Sequence, residues 1–454
     1  MDTSPDSRLE LEFVCHASVI LRRDPVHLIC DPWLTGTAFD DGWALLAEPV
    51  FSAEDFHSIT HIWYSHEHPD HFSPRTLAMI PEAERDRITV LFHASNDKKV
   101  VEFCTKLGFS QVQEMHSGEW LELAPGFNIR CDTWEGSDDS WLLVSTPEGK
   151  VLNLNDCQAV RQQQADDLHA ATGDVDVLLT QFSISSWDGN AEDSARREAG
   201  AQAMLDRVVR QTNTLNAKHV VPFASFVWFC HEENAYMNSA IRPVGDAAAI
   251  IEQQTSAQPV VLYPGDTWVV GDSIDNASAI ARYQADMQTL AARTPASSDT
   301  ASIDELQQAA ERFSAALKQQ RSRLRLRLSA ARANARRLRR QRADSHFRTG
   351  AVALWTLLTL RVRPARVWLT DHESSVEYDL LNGLRPAAHT RNECDMELSS
   401  AALMFAFRFL WGGESLQING RFRELYPDGR IPLFEYLWVA CAMNRDAGAQ
   451  ARPL

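Results

Sequence analysis

A chain of 454 residues is long enough for two or three domains, and at 44% hydrophobic residues it can bury a sizeable core. It carries 61 acidic against 44 basic side chains, a net charge of -17, which argues against nucleic acid as a partner of the whole chain. No apolar run reaches the roughly 18 residues of a spanning helix, and the polar start lacks a signal-peptide core, so a cytoplasmic protein without a transmembrane segment is expected. Eight scattered cysteines without a CxxC pair read as buried free thiols in a reducing compartment.

In chain order, Leu9 to Val19 reads as a strand pair. Val26 to Cys30 is a further strand, ended by Asp31-Pro32-Trp33, and Ile59 to Tyr64 is a buried strand. Directly after it comes His66-Glu67-His68-Pro69-Asp70-His71. Imidazoles at i and i+2, then a carboxylate and another imidazole, can face two cations a few Å apart. Ile88 to Phe92 is a strand and Asn96 to Leu107 a helix. Gly118 to Pro147 holds short strands, and Val151 to Asn155 is a strand that delivers Asp156 at its tip. Val175 to Thr180 is a strand, Ser194 to Gln211 a helix, and His219 to Phe223 a strand leading to an aromatic loop and His231. Strands alternating with helices, with reactive residues at strand ends, indicate an α/β architecture.

From Ile303 the chain is helix-friendly without a Gly or Pro break, acidic at its start and arginine-rich at its end. One long basic helix is expected. It is read as a solvated brace between domains, or, over 321–342, as a docking stripe for an acidic partner or an anionic surface. Aromatics for stacking nucleic acid are missing from it. Val352 to Leu360 is apolar, Val376 to Leu380 resembles a strand, Met396 to Phe409 an amphipathic helix, and Ser415 to Phe422 a strand. Glu397 to Leu403, Gly412-Gly413 and Ile418-Asn419-Gly420 resemble the end of sterol-carrier-like domains. The expected organisation is a metal domain over 8–283, a helical Arg-rich linker over 284–349, and a small α+β domain over 350–454.

The HxHxDH set His66, His68, Asp70 and His71, with His16-Ala17-Ser18 and Asp31-Pro32-Trp33, resembles the metallo-β-lactamase superfamily over about residues 8 to 275. The resemblance implies an αββα sandwich with two metal ions between sheet edges. It implies Asp156 as the bridging carboxylate and His231, after the last core strand, as the final ligand. The histidine usual some twenty residues before the bridge is missing. Glu135 is assigned there, with Asp138 as second choice. The first metal would then have His66, His68 and Glu135, the second Asp70, His71 and His231, with Asp156 between them. His16, Trp134 and Trp187 are expected behind the ligands or in the pocket wall.

A carboxylate in place of that histidine suits iron, with zinc or manganese as alternatives. The ligand set resembles the superfamily's diiron oxygenase branch. Val151 to Cys157, Leu178 to Phe182 and Val221 to Phe226 resemble the metallo-β-lactamase-like part of CMP-N-acetylneuraminate hydroxylases. The Cys-x-His and Cys-x-x-His pair of a Rieske centre is missing from the sequence. The expected function is an O₂-dependent diiron oxygenase of a small molecule, served by a separate electron donor. The alternative is a metal-dependent hydrolase of a lactone, phosphodiester or amide, in which Asp70 orients a hydroxide of lowered pKa.

Overall fold

Alternation with period two, apolar on both faces, sets the first sheet between two buried layers. Leu11, Val19, Leu28, Trp63 and Leu91 enter one core, while Ile20, Ile29, Ile62, Tyr64 and Val90 enter another. These residues lie on strands of a seven-stranded sheet ordered Thr267–Val269, Glu10–Cys15, Ser18–Arg23, Val26–Cys30, His61–Tyr64, Thr89–His93 and Gln111–Met115. A second seven-stranded sheet runs Gln258–Pro259, His219–Phe223, Val177–Gln181, Gly149–Asn153, Ser140–Thr146, Phe127–Thr133 and Trp120–Ala124. Phe127, Ile129, Leu143, Leu152 and Leu179 of this sheet share the first core, so the two sheets face each other. Helix Lys99–Leu107 sends Val100 and Cys104 into the second core, outside the first sheet. Gln162–Thr172, Ser194–Thr214 and Val244–Gln254 pack on the second sheet through Leu168, Leu205, Val208 and Ile251. This is the α/β sandwich of two sheets between helical layers that the motif implied.

The computed structural model describes residues 8–134, 139–340, 362–425 and 432–446. Each large sheet is half antiparallel and half parallel. The parallel strands Val26–Cys30, His61–Tyr64 and Gly149–Asn153 release their chains at carboxyl ends, where α/β sheets place ligands. All eight cysteines are buried and none forms a disulfide. Among the described residues no helix is long and apolar enough to cross a membrane.

The C-terminal unit departs from several sequence expectations. The basic segment is two helices, Ile303–Gln320 and Arg323–Arg340, because Arg321 is extended (φ -138°, ψ 139°). The first begins at a capping box of Ser302 and Glu305. It is no linker: Leu306, Phe313 and Leu317 lie in one core with Val367, Tyr378, Leu403, Phe407 and Leu437. That core lies on a sheet ordered Gly383–Ala387, Ser374–Asp379, Ala365–Leu369, Met396–Leu398 and Arg423–Glu424. The helix expected from Met396 is a strand to Leu398, and Ser399 then caps helix Ser400–Arg408.

Ser415 to Phe422, read as a strand, is largely helix Gly412–Asn419. Gly412, Ser415, Leu416 and Asn419 are its buried residues together with Gly413, a helical period that tertiary contact selects. A Cβ at Gly413 would lie 2.4 Å from that of Leu437, an approach only glycine permits. Val352 to Leu360, the side chains of the basic run beyond Arg332, and 341–342 lie outside the described residues.

Candidate metal centre

The histidine loop leaves strand His61–Tyr64 and is closed at once by helix Pro74–Met79. His71 and Phe72 donate their backbone N–H to the His68 carbonyl (3.0 and 2.7 Å), and Ser73 caps the helix by accepting from Thr76 N–H. This tight turn brings His66, His68, Asp70 and His71 to one place. His66 Nε2 lies 2.9 Å from His68 Nδ1.

Asp156 arrives from the opposite sheet, just past strand Gly149–Asn153. Its Oδ2 is 3.7 Å from His66 Nε2 and its Oδ1 is 3.4 Å from His71 Nε2. The carboxylate thus turns one oxygen to each half of the cluster. Three sets of side chains each offer donor atoms within 4.8 Å of one another: His66, His68 and Asp139; His66, His71 and Asp156; His16, Asp70 and His71.

The supports of these groups are directional. Asp31 Oδ2 accepts from His71 Nδ1 at 2.9 Å and from Ser65 Oγ at 2.7 Å, while its Oδ1 accepts from Ser65 N–H at 2.8 Å. The donated Nδ1 proton leaves His71 Nε2 to face Asp70 Oδ2 (3.3 Å) and Asp156 Oδ1. His16 Nε2 approaches the same Asp70 Oδ2 at 3.3 Å. Gln181 donates to Asp156 Oδ1, Gln158 donates to Gln181 Oε1 at 2.8 Å, and buried Arg207 donates to Gln158 Oε1.

Four non-glycine residues around the site hold left-handed backbone: His16 (φ 28°), Asp31 (φ 42°), Asn155 (φ 44°) and Ala224 (φ 46°). At about 1–3 kcal/mol each, such strain is a sizeable share of a domain's stability and persists only under firm restraint. Ala224 N–H donates to the His16 carbonyl at 2.9 Å, one such restraint.

The electrostatics fit a cation. Burial opposes charge on His71, yet Asp70, Asp156 and Asp31 outweigh it and push its pKa well above the ordinary value. Burial would raise Asp70, but His71 and His16 hold it well below the usual carboxylate range. Burial, with His71 and His68, pushes His66 down to about 3. His71 Nε2 and Asp70 Oδ1 are buried without a hydrogen-bond partner among the described residues. A divalent cation among these oxygens and nitrogens would take the place of the proton on His71 and use both orphaned atoms. The donor set of imidazoles and carboxylates suits two such ions.

Several assigned residues are placed otherwise than expected. His231 is not brought to the cluster. Its Nε2 lies 3.1 Å from Ser298 Oγ and its Nδ1 accepts from Glu233 N–H at 3.2 Å. The short strand Val227–Phe229, paired with Trp43–Leu45, carries the chain away before His231 is reached. His16, expected behind the ligands, stands beside Asp70 and His71. Glu135 and Asp138 lie outside the described residues; Asp139, the next carboxylate, faces His66 at 4.0 Å. Trp134 lines the cavity, whereas Trp187 packs against Phe422 of the C-terminal unit, the rings tilted by 40° with centroids 4.8 Å apart. Asp31, Asp139 and Gln181 were not assigned from sequence. Asp31 was visible in the Asp-Pro-Trp string and Asp139 in the window searched for a histidine, whereas Gln181 gave no local signal.

A cavity of about 320 Å³ opens onto His68, Asp139 and Asp156, walled by Phe39, Trp43, Trp134 and Ile418 and floored by Gln158, Ser185 and Ser186.

Comparison with known proteins returns the resemblance read from the motif. CMP-N-acetylneuraminic acid hydroxylase of Danio rerio is 25% identical over 249 residues, covering 50% of this chain and 40% of that protein. The Mus musculus enzyme is 24% identical over 258 residues, covering 52% and 43%. The matched region thus spans less than half the length of these curated relatives. No family model matches. Similar solved structures include CmlA, a diiron β-hydroxylase from Streptomyces venezuelae, at 17% identity and TM-score 0.40, covering 59% of this chain and 55% of that one. The metallo-β-lactamase-fold protein YhfI from Bacillus subtilis covers 58% of this chain at 12% identity and TM-score 0.37, and 99% of its own.

Proposed function

We propose that the chain is a dinuclear metalloenzyme, and that it is a diiron, O₂-dependent oxygenase acting on a small molecule. The observation that carries the reading is Asp156, with one carboxylate oxygen toward His66 and the other toward His71. His66, His68, Asp139 and Asp156 would hold one ion, and Asp70, His71, His16 and Asp156 the other. Two histidines with carboxylates, in place of three histidines, favour iron over hydrolytic zinc. The curated hydroxylase relatives support the same chemistry. Iron in such a site supplies redox access to O₂.

The protein's own part is to hold and shelter. Asp31 fixes the His71 tautomer, and Gln181 holds Asp156 in place. Phe39, Trp43 and Trp134 line the cavity beside the reacting face with apolar surface. Electrons would come from a separate donor. Glu135, four residues before Asp139 in the sequence, is proposed as a further carboxylate ligand.

A hydrolase reading is favoured by one feature, the open cavity face of Asp139 and Asp156, which would admit an attacking water. One experiment separates the two. Separate samples are loaded anaerobically with Fe(II) or with Zn(II), since zinc outcompetes ferrous iron at most imidazole and carboxylate sites whatever the native metal; metals are analysed, and the iron form is reduced with dithionite and exposed to O₂. About two irons per chain and a visible absorption that returns with O₂ support the oxygenase. An iron-loaded protein whose spectrum does not respond to O₂ overturns it.

A further inference from the structure

The chain between Gly412 and Phe422 is inserted at the mouth of the candidate metal centre. Glu414 Oε1 lies 3.8 Å from His68 Nε2, the ring nitrogen opposite the one that meets His66. Ile418 lines the cavity. Asn419 Nδ2 donates to the Phe39 carbonyl at 3.0 Å and accepts at its own carbonyl from Asn234 Nδ2 at 2.7 Å. Arg421, wholly buried, donates to the carbonyl and Oδ2 of Asp40 (2.9 and 2.7 Å), to Glu233 Oε2 (2.7 Å) and to Ser298 Oγ (2.9 Å).

The recipients of these bonds are strained. Phe39, Asp40 and Asp41 hold φ of 54°, 57° and 55°, three consecutive non-glycine residues in the left-handed region. Such a turn stands only when its surroundings over-determine it. Phe39 in turn sets its ring edge-on to His68, centroids 5.7 Å apart, and lines the cavity. His68 is therefore gripped on two sides by groups that the C-terminal unit supplies or holds. Of the histidines in the cluster, His71 already has its carboxylate within the sandwich, Asp31; the corresponding partner of His68 comes from the other unit.

We propose that the C-terminal unit is a working part of the metal centre, with Glu414 the positioning residue that orients His68 through Nε2, while Asn419 and Arg421 hold the Phe39–Asp41 turn against its ring. The inference rests on the dinuclear reading above. Loss of a partner to the outer nitrogen of a ligating histidine typically weakens metal binding about 10–100-fold.

The test uses the full chain and Co(II) alone, with chelator competition for affinity, the visible Co(II) bands for geometry, and the melting temperature as a control. Wild type should take up two ions. Glu414→Ala should weaken one site about 10–100-fold and alter its band, leaving the other site and the melting temperature unchanged. Glu414→Gln, which keeps a carbonyl oxygen facing Nε2 without the charge, should restore most of the affinity. Wild-type affinity and spectrum at both sites in Glu414→Ala would overturn the proposal. So would an equal weakening of both sites together with a lowered melting temperature, which marks a merely structural contact. If wild type binds no Co(II), the dinuclear reading itself fails, an outcome distinct from either.

Discussion

The two halves of the candidate centre share Asp156 but live in different surroundings. His16, Asp70 and His71 are at most 2% exposed, ringed by Asp31, Ser65 and Trp33. His68 and Asp139 are 25% and 22% exposed and line the cavity. The buried half is built from elements of one sheet, and each of its charges has an opposite charge beside it. The cavity half draws on both sheets and on the C-terminal unit. Burial makes an unpaired charge costly, so the first half is tied to stability, whereas the second is free to exchange water and substrate.

The largest effect is expected where the halves join. Asp156→Ala should abolish the metal pair, leaving at most one ion per chain by elemental analysis; two tightly bound ions would refute the bridge. Next comes the asymmetry itself. His71→Ala leaves Asp31 and Asp70 buried without their partner and should cost about 3–5 kcal/mol of stability. His68→Ala, at the cavity edge, should cost under about 1 kcal/mol while losing one ion. Equal losses in denaturant titrations would erase the distinction between buried and open halves. Asp31→Asn keeps the volume but weakens the grip on His71. It should lower affinity of the buried site about 10–100-fold, read by chelator competition. His231→Ala should leave metal content unchanged, since that ring is engaged with Ser298; loss of an ion would return His231 to the ligand set.

The last effect is a pH dependence at the junction of the units. Burial raises Asp40 from 3.8 to about 6, although Arg421 opposes the shift. A carboxyl with its folded pKa raised contributes stability that is complete below 3.8 and is lost as pH climbs through about 6. Asp40→Asn should remove a fall of up to about 3 kcal/mol between those limits, measured as midpoint shifts in urea at pH 4 and pH 7.

The sandwich was legible because its strands announce themselves. Alternation that is apolar on both faces from Val19 to Phe92 means burial on both sides, and the packed structure obeys it. The loop His66 to His71 and the strand-end Asp156 were legible for a related reason: a strand's carboxyl end fixes where the next few side chains go. The loops were not. His231 follows a strand closely in sequence, yet the turn into Val227–Phe229 aims it elsewhere. Spacing alone pointed to Glu135 or Asp138, both outside the described residues, and did not single out Asp139 just after them. The run Ser415 to Phe422 suits a strand by alternation, but contacts of Gly413 and Leu416 with the C-terminal core make it helical.

By itself the sequence determined a two-sheet α/β scaffold and most of the histidine and aspartate cluster of the candidate centre, because local periodicity and strand-end geometry act over a few residues. Tertiary structure alone decided that His16 joins Asp70, that Asp31 locks His71, and that Glu414, nearly 350 residues along the chain from His68, stands behind its ring. Those are contacts between segments whose separation in sequence carries no record of their meeting, fixed only when two units close against each other and bury the charges between them.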